Sequence, residues 1–254
     1  TLARRYFLSE GVFFNKLVNL KALLNIFFLQ IQINSDEKDK RYDSFIATML
    51  ERDAGKLSMP PNVKFVSWNY DLQLELSLKN YRGKRIKDIQ RDFQITPSVF
   101  LHKPLEVDLD NFAVVKLNGT AGIYDRQRDR NTHELADIDD FYAGHIFPKE
   151  MIALFKELSE NRKTTCLNFF RFSWENYNIN RYIENDLSQE TQNIAAEIFS
   201  DTQILVIIGY SFPVFNRKVD LKLFESLPNR TIVYIQDTNA KARKIIVETP
   251  AASP

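Results

Sequence analysis

The chain has 254 residues, 44% of them hydrophobic, enough for one large α/β domain or two small ones with a sizeable core. Its 34 basic and 33 acidic side chains leave a formal net charge of +1, which gives no electrostatic case for nucleic acid or an anionic membrane as partner. With one cysteine, Cys166, the sequence holds no intramolecular disulfide and no multi-cysteine zinc site, and a reducing, cytoplasmic setting is the expectation.

Phe14, Leu17, Leu20, Leu23, Leu24, Phe27, Phe28 and Ile31 recur at helical spacing and predict a long amphipathic or buried helix. Asn19, Lys21, Asn25, Gln30 and Gln32 interrupt it, so it does not read as a membrane span. No signal-peptide pattern is visible. Ser35 to Arg41 reads as a charged loop, and Tyr42 to Arg52 as a second helix with Phe45, Met49 and Leu50 on its apolar stripe. Pro60-Pro61 then stops any helix.

Val63, Phe65 and Val66 make a short strand, and Trp68-Asn69-Tyr70-Asp71 leads into a helix marked by Leu72, Leu74, Leu76 and Leu78. Asn69 and Asp71 therefore stand at a strand-to-helix junction, where a short polar residue commonly caps the helix. Two such residues are more than one cap needs. Tyr81 to Arg91 is basic and reads as a solvated helix face or a loop. Ala113-Val114-Val115 reads as a buried strand, and Asn118-Gly119-Thr120 as a turn with exposed N–H groups. An Asn-Gly pair in isolation signals nothing beyond a hairpin turn.

Arg126 to Ala136 is charged and reads as a mobile loop, Lys149 to Ser159 as a helix and Cys166 to Phe172 as a strand; Ser173 to Ser188 has no clear period. A helix over Gln189 to Phe199 feeds the sequence TQILVIIGYSFP from Thr202 to Pro213. Its uncharged run from Ile204 to Ile208, closed by Gly209, predicts a strand buried on both faces in the middle of a parallel sheet. Gly209 would allow close backbone approach, and Ser211 offers a hydroxyl and an N–H beside it. The plainer alternative is a core strand followed by an ordinary loop. Asp220 to Leu227 reads as a helix, Thr231 to Ile235 as a last strand, and Asp237-Thr238-Asn239 follow, with Thr238 or Asn239 capping a helix over Ala240 to Val247.

Strands near 63–67, 113–117, 204–208 and 231–235 alternate with helices, which predicts an α/β fold with a doubly wound, mainly parallel sheet and helical additions. The expected organisation is a single domain over residues 1–254 with a helical or irregular insertion at about 126–188. All four strands end in small or polar residues. On one parallel sheet those ends share an edge and form a cleft for a nucleotide-sized ligand.

SWNYDLQLE around Asn69 resembles the Thr-Asn-Tyr-Asp segment of the sirtuin-like NAD-binding domains. VVKLNGTAG around Asn118 resembles their Lys-Leu-His-Gly segment, and LVIIGYSFPVFN resembles the Gly-Tyr-Ser strand end of the bacterial sirtuin-like NAD-consuming proteins. Order and spacing agree over roughly residues 42 to 240. The resemblance implies a Rossmann-like sheet holding NAD, with Asn69 at the nicotinamide ribose or the attacking water and Asp71 supporting its loop. Gly119 and Thr120 would lie along the cofactor, Gly209, Tyr210 and Ser211 beside its adenosine half, and Asp237 would accept from a ribose hydroxyl.

The chain also departs from the family. The N-terminal Gly-rich loop that cradles the pyrophosphate has no counterpart before residue 42, through truncation or loss. The family's His, a general base, is Asn118 here, and an amide cannot take a proton near neutral pH. No zinc module is present, which counts against protein deacylation. His102, His133 and His145 read as bystanders.

The resemblance thus implies NAD as substrate or ligand, no zinc, and descent from an NAD glycohydrolase, in which water attacks C1 of the ribose as nicotinamide leaves. Relatives of this type act in bacterial anti-phage defence, and a homo-oligomer or an added sensor domain is the expected partner. The alternative is a catalytically degenerate scaffold or regulatory module.

Overall fold

A computed structural model describes residues 12–34, 40–53, 56–97, 107–129, 132–136, 152–153, 155–156, 166–170 and 187–236. They fall into two compact units, within Thr1–Ser188 and Gln189–Pro254. The chain is an α/β protein. No described helix is long and apolar enough to cross a membrane.

In the first unit, helices α1 (Val12–Asn34) and α2 (Lys40–Met49) lead through a short antiparallel pair, β1 (Glu51–Asp53) and β2 (Lys56–Ser58), to strand β3 (Lys64–Ser67). Helices α3 (Gln73–Arg82) and α4 (Ile86–Asp92) follow, then β4 (Ile95–Thr96) and β5 (Ala113–Lys116). These strands form a parallel sheet in the order β3-β5-β4, with Phe65 and Ile95 both in register with Val114. β5 is central and buried throughout, which is why its sequence is a run of Ala and Val. Phe65 and Val114 pack with Ile46 of α2, Leu74 and Leu78 of α3 and Ile89 of α4. Gly83 ends α3 at φ +63°, a conformation that favours glycine, and its N–H closes on the Lys79 carbonyl at 2.8 Å. The basic stretch after it is a solvated face, as expected: Lys84 pairs with Asp92, and Arg85 and Arg91 with Asp88.

α1 is the predicted long helix, but its polarity is reversed. Leu23, Phe27 and Ile31 are exposed, at 56%, 53% and 43%, while Lys21, Asn25 and Gln32 are buried. Gln32 on this inward side meets the start of α3, described below.

The charged stretch expected to be a loop is a hairpin. β6 (Gly119–Asp129) pairs antiparallel with β7 (Thr132–Ala136) and, on its other edge, with β8 (Cys166–Phe170). The register sets Arg126 opposite Glu134. The helix expected over Lys149–Ser159 and the Ser173–Ser188 segment lie largely outside the described residues.

In the second unit, α5 (Leu187–Ser200), β9 (Ile204–Ile208), α6 (Arg217–Glu225) and β10 (Ile232–Gln236) form a βαβ motif preceded by a helix. β9 and β10 are parallel, with Val206 in register with Tyr234. The four strands expected from the sequence are therefore present as two parallel pairs, β3 with β5 and β9 with β10. β9 is not buried on both faces. Leu205 and Ile207 pack with Phe212, Phe224, Val233 and Ile235, whereas Ile204, Val206 and Ile208 are more than half exposed. A continuous apolar run cannot show which of its faces is covered, because every position reads alike.

Candidate functional site

The carboxyl ends of β3 and β5 lie side by side, Ser67 in register with Lys116. Between β3 and α3 the chain runs through Trp68, Asn69, Tyr70, Asp71 and Leu72, and each of these is tied to a different partner. The Trp68 carbonyl accepts from Asn118 Nδ2 at 2.7 Å. The Asn69 N–H donates to Ser67 Oγ at 3.0 Å, and its side-chain amide donates to the Tyr42 hydroxyl at 3.3 Å. The Tyr70 ring meets Phe28 of α1 edge-on, centroids 4.7 Å apart. The Asp71 carbonyl accepts from Lys116 Nζ at 2.6 Å, and its carboxylate accepts from the Gln73 N–H at 3.0 Å. The Leu72 N–H donates to Gln32 Oε1 of α1 at 2.7 Å.

These ties follow from the needs of a helix start. The first N–H groups of α3 have no partner inside the helix. Asp71 satisfies one as an Asx turn, the capping role the sequence offered for it. Leu72 is buried, so its N–H needs a buried acceptor, which Gln32 brings from 40 positions away in sequence. Gln32 is in turn held by its own amide, which donates to the Phe28 carbonyl at 2.8 Å. This gives the buried Gln32 of α1 a partner for each end of its amide. Burial, and then the Asp71 charge, push the Tyr70 phenol above its ordinary range, so Tyr70 is neutral at this junction.

Beneath the loop lies an ion pair the sequence reading did not single out. Lys116, at the end of β5, is paired with Glu75 in the first turn of α3, with side-chain exposures of 3% and 0%. Gln90 of α4 also donates to Glu75, at 3.4 Å. Glu75 sits where an acid favours the helix dipole, and Lys116 neutralises it in the core. The signal was in the sequence: a Lys closing an otherwise apolar strand and a Glu inside a Leu-rich helix are charges at positions that must be buried.

Asn69 and Asn118 are thus brought to one place. Asn69 is exposed, while Asn118 is half-buried with its amide turned to the β3 end. Gly119 and Thr120 do not form an open turn. Both are buried where β6 begins, Gly119 at φ +71°, and Thr120 Oγ1 has no hydrogen-bond partner among the described residues.

In the second unit, Gly209 follows β9 at φ +62°, a backbone angle that favours glycine, with nothing among the described residues within 4 Å of where a Cβ would stand. The Tyr210 hydroxyl lies 2.9 Å from each oxygen of the buried Asp220 carboxylate, to which it donates, and accepts from Asn216 Nδ2 at 3.1 Å. Burial, opposed by the Asn216 hydrogen bond and reinforced by Asp220, pushes its phenol far above the usual range. Tyr210 therefore ties the strand end to α6, leaving Ser211 exposed beside it. Asp237, with Thr238 and Asn239, lies outside the described residues.

Among the described residues no group of three or more His, Cys, Asp or Glu side chains is arranged to hold a metal ion. The chain matches no protein-family model, no curated protein and no solved structure.

Proposed function

We propose that this chain is a sirtuin-like domain of Rossmann-like descent that binds NAD or a related nucleotide at the carboxyl ends of β3 and β5. The observation that carries the reading is the Trp68–Leu72 loop, tethered residue by residue at the mouth of two adjacent parallel strands. Open α/β sheets bind ligands at that edge, and a loop fixed in advance loses little freedom when a ligand docks. The exposed Asn69 amide and the unpartnered Thr120 hydroxyl are polar groups of the kind a ribose would use. The wider proposal is an origin in NAD-hydrolysing proteins of bacterial anti-phage defence, acting in the cytoplasm as a homo-oligomer or beside a sensor domain.

A second reading, a catalytically degenerate scaffold or regulatory module, is favoured by one specific observation. The Asn118 amide is engaged with the Trp68 carbonyl, at the position where the resemblance has a basic imidazole. The two readings separate experimentally. On the nucleotide reading, NAD or ADP-ribose raises the melting temperature of the full chain by mass action, and Asn69→Ala weakens the effect. Absence of any shift at millimolar NAD leaves the scaffold reading.

A further inference from the structure

The Lys116–Glu75 pair has a chemical peculiarity. Two opposite charges inside a core are commonly replaceable by apolar side chains of similar volume without loss of stability. An apolar pair here would fill the same space beside Leu74, Leu76 and Leu78, all buried on the same helix. It would not donate to the Asp71 carbonyl. Lys116 Nζ reaches that carbonyl at 2.6 Å while paired with Glu75, so one ammonium joins the β5 end, the first turn of α3 and the loop between β3 and α3. It is a cationic side chain holding the loop's backbone, and it comes from the central strand of the sheet.

We propose that Lys116 is the positioning residue of the Trp68–Leu72 loop: its ammonium, neutralised by Glu75, holds the Asp71 carbonyl and so fixes where Asn69 stands at the strand edge. The Asp71 carbonyl and carboxylate belong to one residue. Holding the carbonyl from below keeps the carboxylate aimed at the Gln73 N–H, and the neighbouring Leu72 N–H aimed at Gln32. Glu75 is needed for its charge, so that a buried ammonium is tolerated, and Lys116 for its reach.

The test uses the full chain and two readouts. The first is amide hydrogen exchange at Leu72 and Gln73, with Gly83 and Val114 as references, because their N–H groups bond to Lys79 and Gln94 away from the loop. In the double variant Lys116→Met/Glu75→Met, which leaves no buried charge unpaired, exchange at Leu72 and Gln73 should accelerate at least tenfold while Gly83 and Val114 hold their wild-type rates. The second readout rests on the nucleotide reading: affinity for ADP-ribose should fall at least tenfold in the double variant. If wild type binds no ADP-ribose, the nucleotide reading fails and the exchange result alone decides the positioning role. Wild-type protection of Leu72 and Gln73 in the double variant overturns the proposal.

Discussion

Asn118 Nδ2 donates to the carbonyl of Trp68 at 2.7 Å, fastening the end of β5 to the end of β3. Asn118 is thus a strap between strands. Asn118→Ala should cost about 1–2 kcal/mol in urea unfolding, for a lost hydrogen bond and a half-buried carbonyl left wanting a donor. Asn118→Asp should cost more, because it sets a charged acceptor against that carbonyl. On the nucleotide reading, wild type should release nicotinamide from NAD slowly or not at all, since a positioned base is worth about a hundredfold to ten-thousandfold in rate. Asn118→His should raise release, and Asn69→Ala added to it should remove the gain. Rapid wild-type turnover insensitive to Asn69→Ala would mean these residues do not form the site.

Breaking the Lys116–Glu75 pair from one side should be costly. Lys116→Met alone strands a fully buried carboxylate, and about 3–5 kcal/mol of stability should be lost. Adding Glu75→Met should restore most of it. A double variant no more stable than the single one would show that the charges stabilise the fold in their own right.

Gln32 is the acceptor for the buried Leu72 N–H. Gln32→Ala should cost about 1–3 kcal/mol, the penalty for a buried donor without a partner. Gln32→Leu, which fills the space but accepts nothing, should be as harmful. If Gln32→Leu instead matched wild type in a denaturant melt, the inward polar stripe of α1 would have no energetic basis at this position.

Tyr210 makes stability fall in alkali. Its folded pKa is raised above the ordinary phenol value of 10.0, so the neutral phenol is the form the fold holds. The stabilisation is complete below pH 10.0, where unfolded and folded chains both keep the proton. It is lost as pH rises above that, because only the unfolded chain releases it freely. Tyr210→Phe should lower stability at neutral pH by about 1–3 kcal/mol, leaving the buried Asp220 carboxylate short of a donor. It should also flatten the alkaline decline. Equal alkaline slopes in wild type and variant would assign the decline to other groups.

The sequence by itself determined much of the order of the local elements. Helical spacing placed α1 and short apolar runs placed the strands β3, β5, β9 and β10, because periodicity follows directly from backbone geometry. It also marked the β3–α3 junction, since short polar residues before a Leu-rich helix signal capping, and Asp71 caps. What it left open was every question of which face meets what. Leu23, Phe27 and Ile31 look like a core stripe, yet they are exposed, while the buried side of α1 carries Gln32, which accepts from the Leu72 N–H. Ile204, Val206 and Ile208 read the same as Leu205 and Ile207, yet only the latter pair packs on Phe212 and Phe224. Lys116 and Glu75 lie far apart along the chain, and Gln32 and Leu72 are separated by 40 positions. Only tertiary structure decides such pairings, because a buried donor or charge takes whichever partner the fold brings within reach.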